Sequence, residues 1–233
     1  MKWQKRQCPI KLEIVPYGAG WEDVTLEIDG HSHWWSVSGC LGDGFGALVE
    51  SLYALYPYQT YDEDEENRLT AEEKFHADYV DGEYVNYRRM PDDAKSYRSM
   101  PMAAEFYWDH EGCGVAWKLT KDPEAGASRD FTLKIELLDG TEGEDETLYR
   151  YDVKYSDLCY AVGKALTEAV KKHGFAGFHT SVWESDVNVR HLCFLKACGM
   201  GHPDAVEPFD SAEEGEGAVS SFEEEIKLLM FDM

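Results

Sequence analysis

The sequence predicts an α+β fold in which an antiparallel β-sheet is packed by two or three amphipathic helices. Short segments that alternate apolar and polar residues, and that are rich in β-branched and aromatic side chains, are typical of strands. These segments come in two groups, and each group is followed by a longer segment with apolar residues at helical spacing. Strands joined by short turns favour antiparallel pairing, because parallel neighbours need a long crossover connection.

The first group of strands is predicted at 11–15, 24–29 and 33–38. Asp29-Gly30 supplies a tight turn between the second strand and the third. Apolar residues then recur at a helical period over 45–56, and Pro57 ends this first helix. The acidic and polar segment 58–102 follows, and we interpret it as a long excursion from the domain.

The second group of strands is predicted at 103–109, 114–120, 131–138 and 147–154. Ser156 caps the helix that follows, and Gly174 ends it. The two groups also resemble each other, since 24–28 and 131–135 each precede a turn, an aromatic strand and an amphipathic helix. A duplicated strand-strand-helix unit is therefore an alternative description of the fold.

The end of the chain combines two further helices with an acidic tail. One helix is predicted at 186–198 and closed by Gly199, and the tail occupies 202–220. Ser221 opens the last helix as part of a capping box. One face of this helix carries the apolar residues Phe222, Ile226, Leu229 and Met230. The sequence thus indicates a single domain over 1–233 whose last helix docks on the body or on another molecule.

The chain carries a formal net charge of −24, from 46 acidic and 22 basic residues. Three stretches, 61–73, 139–146 and 202–225, together hold −20 of this charge. Phosphate binding depends on Lys and Arg, so the composition predicts no nucleic-acid partner. A solvated acidic surface that keeps the protein in solution is one interpretation of the charge, and a surface that meets a basic partner is the other.

The first residues lack the unbroken apolar stretch of a signal peptide, and no window reaches the roughly 18 consecutive apolar residues of a membrane helix. The six cysteines are scattered through the chain, unlike the dense spacing of a secreted disulfide scaffold. We therefore expect reduced thiols, a cytoplasmic location and no membrane partner.

Aromatic and acidic residues provide the candidate interaction surface. Trp34 and Trp35 are adjacent on a predicted strand, so their rings face opposite sides and one of them is expected at the surface. Exposed tryptophans are typical anchors of protein interfaces. The residues assigned to this surface are Trp34, Trp35, Trp108, Asp62, Glu63, Asp64 and Glu65. Packing of the aromatic rings in the core is the alternative interpretation.

Histidines and carboxylates offer an alternative, metal-dependent site. His31 and His33 are two residues apart, so on a strand both imidazoles point to the same face and can bind one metal ion. His110 completes this hypothetical site, with Asp109 and Glu111 as acid-base groups of a hydrolase. The Gly-x-Ser-x-Gly nucleophile motif is absent from the sequence.

Charge without a catalytic motif favours a non-enzymatic interaction protein. We expect a bacterial inhibitor or immunity-type protein whose acidic and aromatic surface binds a basic protein partner, and we expect no cofactor. A metal-dependent hydrolase is the first alternative. A nucleic-acid-mimicking inhibitor is the second, and it requires the acidic stretches to form one continuous face.

Overall fold

The computed structural model describes residues 3–38, 44–56, 103–110, 114–122, 130–139, 147–182, 188–203, 206, 209–210, 218–219 and 221–233. These residues form two antiparallel sheets, a short strand pair and four helices, which confirms the predicted α+β class. The strands are β1 (Lys11–Gly18), β2 (Trp21–Ile28), β3 (His31–Ser38), β4 (Ala103–Asp109), β5 (Gly114–Lys121), β6 (Thr132–Asp139), β7 (Thr147–Lys154), β8 (Phe209–Asp210) and β9 (Ala218–Val219). The helices are α1 (Gly44–Leu55), α2 (Tyr155–Val182), α3 (Val189–Gly199) and α4 (Phe222–Met230).

The long strands are divided between two meanders. Sheet 1 has the order β1-β2-β3 and sheet 2 has the order β4-β5-β6-β7, and all neighbouring strands are antiparallel. The predicted strands are all present, although β1 continues to Gly18 and β2 begins at Trp21. Asp29 and Gly30 adopt positive φ angles of 49° and 77°, which is the backbone that a tight two-residue hairpin turn requires.

The inner faces of both sheets and helices α1 to α3 enclose one hydrophobic core. Each of the first two helices packs mainly against the sheet that it does not follow. Helix α1 contacts the edge strand β4 of sheet 2, and α2 contacts the edge strand β1 of sheet 1. The successions β2-β3-α1 and β6-β7-α2 match the predicted strand-strand-helix units. Each pair of strands belongs to a longer meander. The two units are held together because the helix of each unit packs on the sheet of the other.

Helix α2 consists of two helical segments that meet at Gly174. This glycine has φ 72° and ψ 162°, which is not helical backbone, so the first segment ends where the sequence predicts. A second helical segment, which the sequence does not predict, follows at once, and its Phe178 is buried in the core. Helix α3 begins after its N-cap Asn188 and includes Gly199. Among the described residues, no helix combines the length and the apolar character that a membrane span requires.

Candidate interaction surface

The outer face of sheet 1 is open to solvent and carries an exposed tryptophan. Trp34 on β3 is 62% exposed, whereas Trp35 points inward and packs against the core. This arrangement confirms the prediction that the two adjacent rings face opposite sides of a strand. Trp34 is therefore the residue around which an interaction surface can be built.

Trp34 lies in a cross-strand row with a carboxylate. The pairing register puts Glu13 of β1 opposite Thr25 of β2, and Thr25 opposite Trp34. Asp23 and Glu27 stand on either side of Thr25 on the same face, so they are diagonal neighbours of Trp34, at about 7–8 Å in ordinary sheet geometry. Two acidic side chains are thus diagonal neighbours of Trp34, and a third, Glu13, lies in the same row beyond Thr25.

A second aromatic ring borders this face at Tyr17, which is 57% exposed. Its hydroxyl lies 2.8 Å from the hydroxyl of Ser36 on β3, so the side chain reaches across β2. Lys11 forms an ion pair with Glu27, and the other acids supply the negative surplus. We call this group the sheet 1 surface, and its residues are Glu13, Tyr17, Asp23, Glu27 and Trp34.

Two of the tryptophans assigned to the interaction surface lie beneath it. Trp108 is 1% exposed, and its indole nitrogen donates a hydrogen bond to the Gly44 carbonyl oxygen at 2.9 Å. The ring centroid of Trp35 is 5.8 Å from that of Trp108 and 6.2 Å from that of Trp117. Both rings support the sheets from the core side, and Trp34 alone of the three assigned tryptophans projects into solvent.

His31 and His33 share the inner side of β3, as their spacing predicts. The Nε2 atom of His33 lies 2.6 Å from the Tyr151 hydroxyl, and its ring packs 4.3 Å from the Tyr149 ring. Burial, followed by the nearby His31, lowers the pKa of His33. The neutral imidazole is therefore favoured at neutral pH, inside an aromatic cluster.

His110 lies away from this pair. Its Nδ1 atom donates to the Ser36 carbonyl oxygen at 2.8 Å, and its ring packs edge-on against Trp21 at 5.3 Å. Ser36 and His31 are roughly 16 Å apart along an extended strand, so the expected convergence of His31, His33 and His110 does not occur. In the part of the chain that the structure describes, no group of three His, Cys, Asp or Glu residues is placed to hold a metal ion.

Several predicted residues lie outside the described residues. They are Asp62, Glu63, Asp64 and Glu65 with the rest of 58–102, Glu111, and most of 202–220. Asp109, the other acid-base candidate, ends β4 and is half-buried. The candidate site is accordingly built from sheet 1 alone.

Three acids and a tyrosine of the sheet 1 surface are not among the predicted site residues, although the sequence carries a signal for most of them. The turn at Asp29-Gly30 sets the register of the β2-β3 hairpin, and this register puts Thr25 opposite Trp34. Side-chain alternation then places Asp23 and Glu27 on the same face. The acidic surroundings of Trp34 are thus a local consequence of one tight turn.

Comparisons with known proteins assign no family or activity to this chain. No family model matches it, and neither the curated proteins nor the solved structures gave a match. The function is therefore argued from the sheet 1 surface.

Proposed function

We propose that this chain is a non-enzymatic interaction protein that binds a basic protein partner through the sheet 1 surface, in the manner of an inhibitor or immunity protein. The observation that carries the proposal is the exposed indole of Trp34 among acidic side chains on an open sheet face. Removing apolar surface from water is favourable at about 25 cal/mol per Å², so a partner that covers this ring gains stability from it.

The composition of the surface suits a basic partner. Tryptophan and tyrosine are enriched among residues whose truncation costs an interface about 2 kcal/mol or more. Carboxylates around such an anchor accelerate encounter with a cationic surface and disfavour an acidic one. The net charge of −24 acts in the same direction at longer range.

The outer face of sheet 2 offers a contrast, because its charges compensate each other. Glu105, Lys118, Glu136 and Arg150 alternate in sign across the four strands. The Lys118 Nζ lies 2.8 Å from Glu105, and the Arg150 Nε lies 2.9 Å from Glu136. The hydrogen bond that Lys118 donates to the Glu105 carboxylate raises the pKa of Lys118. Because these charges are paired with each other, the outer face of sheet 2 has little net charge to attract a partner. Sheet 1 is therefore the stronger candidate for the binding surface.

A capture experiment with a single substitution tests the proposal. The chain and its Trp34→Ala variant are immobilised and exposed to extract from the cells that express the protein, at about 150 mM salt. We expect the wild type to capture a basic protein and the variant to capture at least tenfold less of it. A tenfold loss of affinity corresponds to about 1.4 kcal/mol of binding free energy. Titration of the purified partner against both forms then gives the two affinities.

Leu148→Ala is the matched control, because it removes an exposed apolar side chain from sheet 2. This variant should capture as much partner as the wild type. Thermal unfolding checks that both substitutions leave the fold intact. Equal capture by Trp34→Ala and wild type, or a Trp34-dependent partner that is acidic, would overturn the proposal.

A further inference from the structure

Helix α4 exposes a stripe of apolar side chains. Phe222, Ile226 and Met230 are spaced by four residues, so they lie on one side of the helix, and they are 74%, 43% and 69% exposed. The helix docks on the core through the buried Leu228 and the half-buried Leu229. Of the four apolar residues that the sequence places on one face, three therefore remain in contact with water.

The orientation of α4 is set by contacts near its C-terminal end. Lys196 of α3 is fully buried, and its Nζ donates to the carbonyl oxygens of Leu229 at 3.2 Å and Phe231 at 2.8 Å. Asp232 then pairs with Lys171 of α2 at 3.0 Å. These contacts fix the rotation of α4 about its axis, so the exposed stripe is a property of the docked helix.

An apolar groove of about 230 Å³ runs beside this stripe. Val189 and Phe194 of α3 line one side, Ile226 and Leu229 of α4 line the other, and Tyr53 of α1 also contributes. Val189 is itself exposed, so the groove and the stripe form one continuous apolar surface. We call it the α4 surface, and its exposed members are Val189, Phe222, Ile226 and Met230.

The charges around the α4 surface indicate which kind of partner fits it. The first turn of α4 carries Glu223, Glu224 and Glu225, and Lys227 pairs with two of them. On the opposite rim, Arg190 stacks over the Tyr53 ring and bonds its hydroxyl. Three acidic side chains against Lys227 and Arg190 leave this rim only a small negative surplus, and the chain as a whole carries −24. A second copy would bring the same net charge and be repelled, whereas a cationic partner is attracted.

We propose that the α4 surface is a docking site for a basic amphipathic helix of another protein. Such helices place apolar side chains at i, i+4 and i+7 in a groove and their charged side chains at its rim. The nine-residue α4 is about 13 Å long, which matches between two and three turns of a partner helix. The inference extends the proposed function by naming a second surface and the partner's secondary structure.

A synthetic peptide provides the test, because no natural partner is needed. The probe is a labelled peptide of about 15 leucines and lysines patterned as an amphipathic helix, and the control peptide has the same composition in shuffled order. Fluorescence anisotropy at about 150 mM salt gives both affinities. We expect the patterned peptide to bind at least tenfold more tightly, because only it presents an apolar face.

Two substitutions separate the α4 surface from the sheet 1 surface. Phe222→Ala and Met230→Gln remove exposed side chains and should each weaken the patterned peptide about fivefold or more, while Trp34→Ala should leave its affinity unchanged. Equal binding of the two peptides would show attraction by charge alone and overturn the inference. So would unchanged binding by Phe222→Ala and Met230→Gln, or dimerisation of the chain that Phe222→Ala abolishes.

The two proposals fail in different ways. If Trp34→Ala weakens the peptide and Phe222→Ala does not, the α4 inference is wrong and the sheet 1 surface is the binding site. If cell extract contains no protein whose capture depends on Trp34, the proposed function of sheet 1 fails, and the peptide measurement still decides the role of α4.

Discussion

Two lysines, Lys121 and Lys196, are buried in the core, and each is held by a different kind of contact. Lys196 donates to two carbonyl oxygens at the end of α4, while the Lys121 ammonium lies 4.6 Å from the centre of the Phe131 ring. Burial lowers the pKa of both side chains to about 8. The hydrogen bonds and the aromatic face offset part of the cost of removing these ammonium groups from water.

These depressed pKa values predict that Lys121 and Lys196 make a contribution to stability that grows as pH rises from about 8 to about 10. In this window the folded chain releases protons from Lys121 and Lys196, whereas the unfolded chain keeps them until about pH 10.4. At these two groups the unfolded state therefore binds more protons, which raises the free energy of unfolding with pH, while the buried Cys193 thiol, whose pKa is raised to about 11, contributes in the opposite direction above about pH 9. Urea unfolding across this range measures the slope, which we expect to be smaller in Lys121→Met than in the wild type.

The exposed Lys134 on the outer face of sheet 2 supplies the control for this measurement. Lys134→Met should keep the slope of the wild type, because this side chain is already in water. If Lys121→Met and Lys134→Met showed the same dependence on pH, burial of Lys121 would not be the cause of the effect.

At the scale of elements, helices α2 and α3 approach each other closely because glycine lies at their contact. A Cβ atom on Gly199 would lie 2.6 Å from the backbone Cα and N of Tyr160, and one on Gly163 would lie 3.0 Å from the Lys196 Cγ. The first distance is much shorter than any contact between carbon atoms in a packed protein. The crossing of α2 and α3 therefore depends on the missing side chain of Gly199.

Gly199→Ala is expected to destabilise the protein by about 2 kcal/mol or more, because the methyl group must push the two helices apart. Gly177→Ala in α2 is the matched control, since a Cβ there would meet only the His173 Cβ at 3.7 Å. We expect that change to be neutral or to stabilise by up to about 1 kcal/mol, because alanine favours a helix over glycine. Chemical denaturation of both variants measures the difference, and a Gly199→Ala variant as stable as wild type would contradict the helix contact.

At the scale of the whole molecule, the dominant feature is the net charge of −24. The described faces contain several compensated pairs, such as those between Lys118 and Glu105 and between Arg150 and Glu136. The surplus of acids lies mainly in 61–73, 139–146 and 202–225, most of which falls outside the described residues. Repulsion among these carboxylates opposes the compact state at low ionic strength.

We therefore expect the melting temperature to rise by several degrees between about 20 mM and about 500 mM sodium chloride, because salt screens this repulsion. The increase should be much smaller near pH 4.6, where the chain has no net charge by its composition. Thermal unfolding followed by circular dichroism measures both series. A melting temperature that stays constant or falls with salt at neutral pH would mean that charge repulsion is not significant for stability.

Features that depend on nearby residues follow from the sequence alone. The α+β class, the strand segments, the opposite directions of Trp34 and Trp35, and the capping of α4 by Ser221 are all predicted, and the structure confirms them. Each of them rests on a period of two or 3.6 residues, or on a cap within one turn. The exposed Trp34 belongs to this class. So does the Asp29-Gly30 turn, whose register places Asp23 and Glu27 near Trp34.

Features that depend on contacts between distant residues were decided only by the tertiary structure. The strands divide into two sheets, and Trp108 is buried in the core. Helices α1 and α2 each pack on the sheet of the other strand-strand-helix unit. His110 hydrogen-bonds the Ser36 carbonyl oxygen and does not meet His31 and His33. Lys196 binds the C-terminal end of α4 in an orientation that leaves the apolar stripe of this helix in water. A sequence pattern shows which side of an element is apolar, but not which surface meets it. That choice is made by the free energy of packing all the elements into one core.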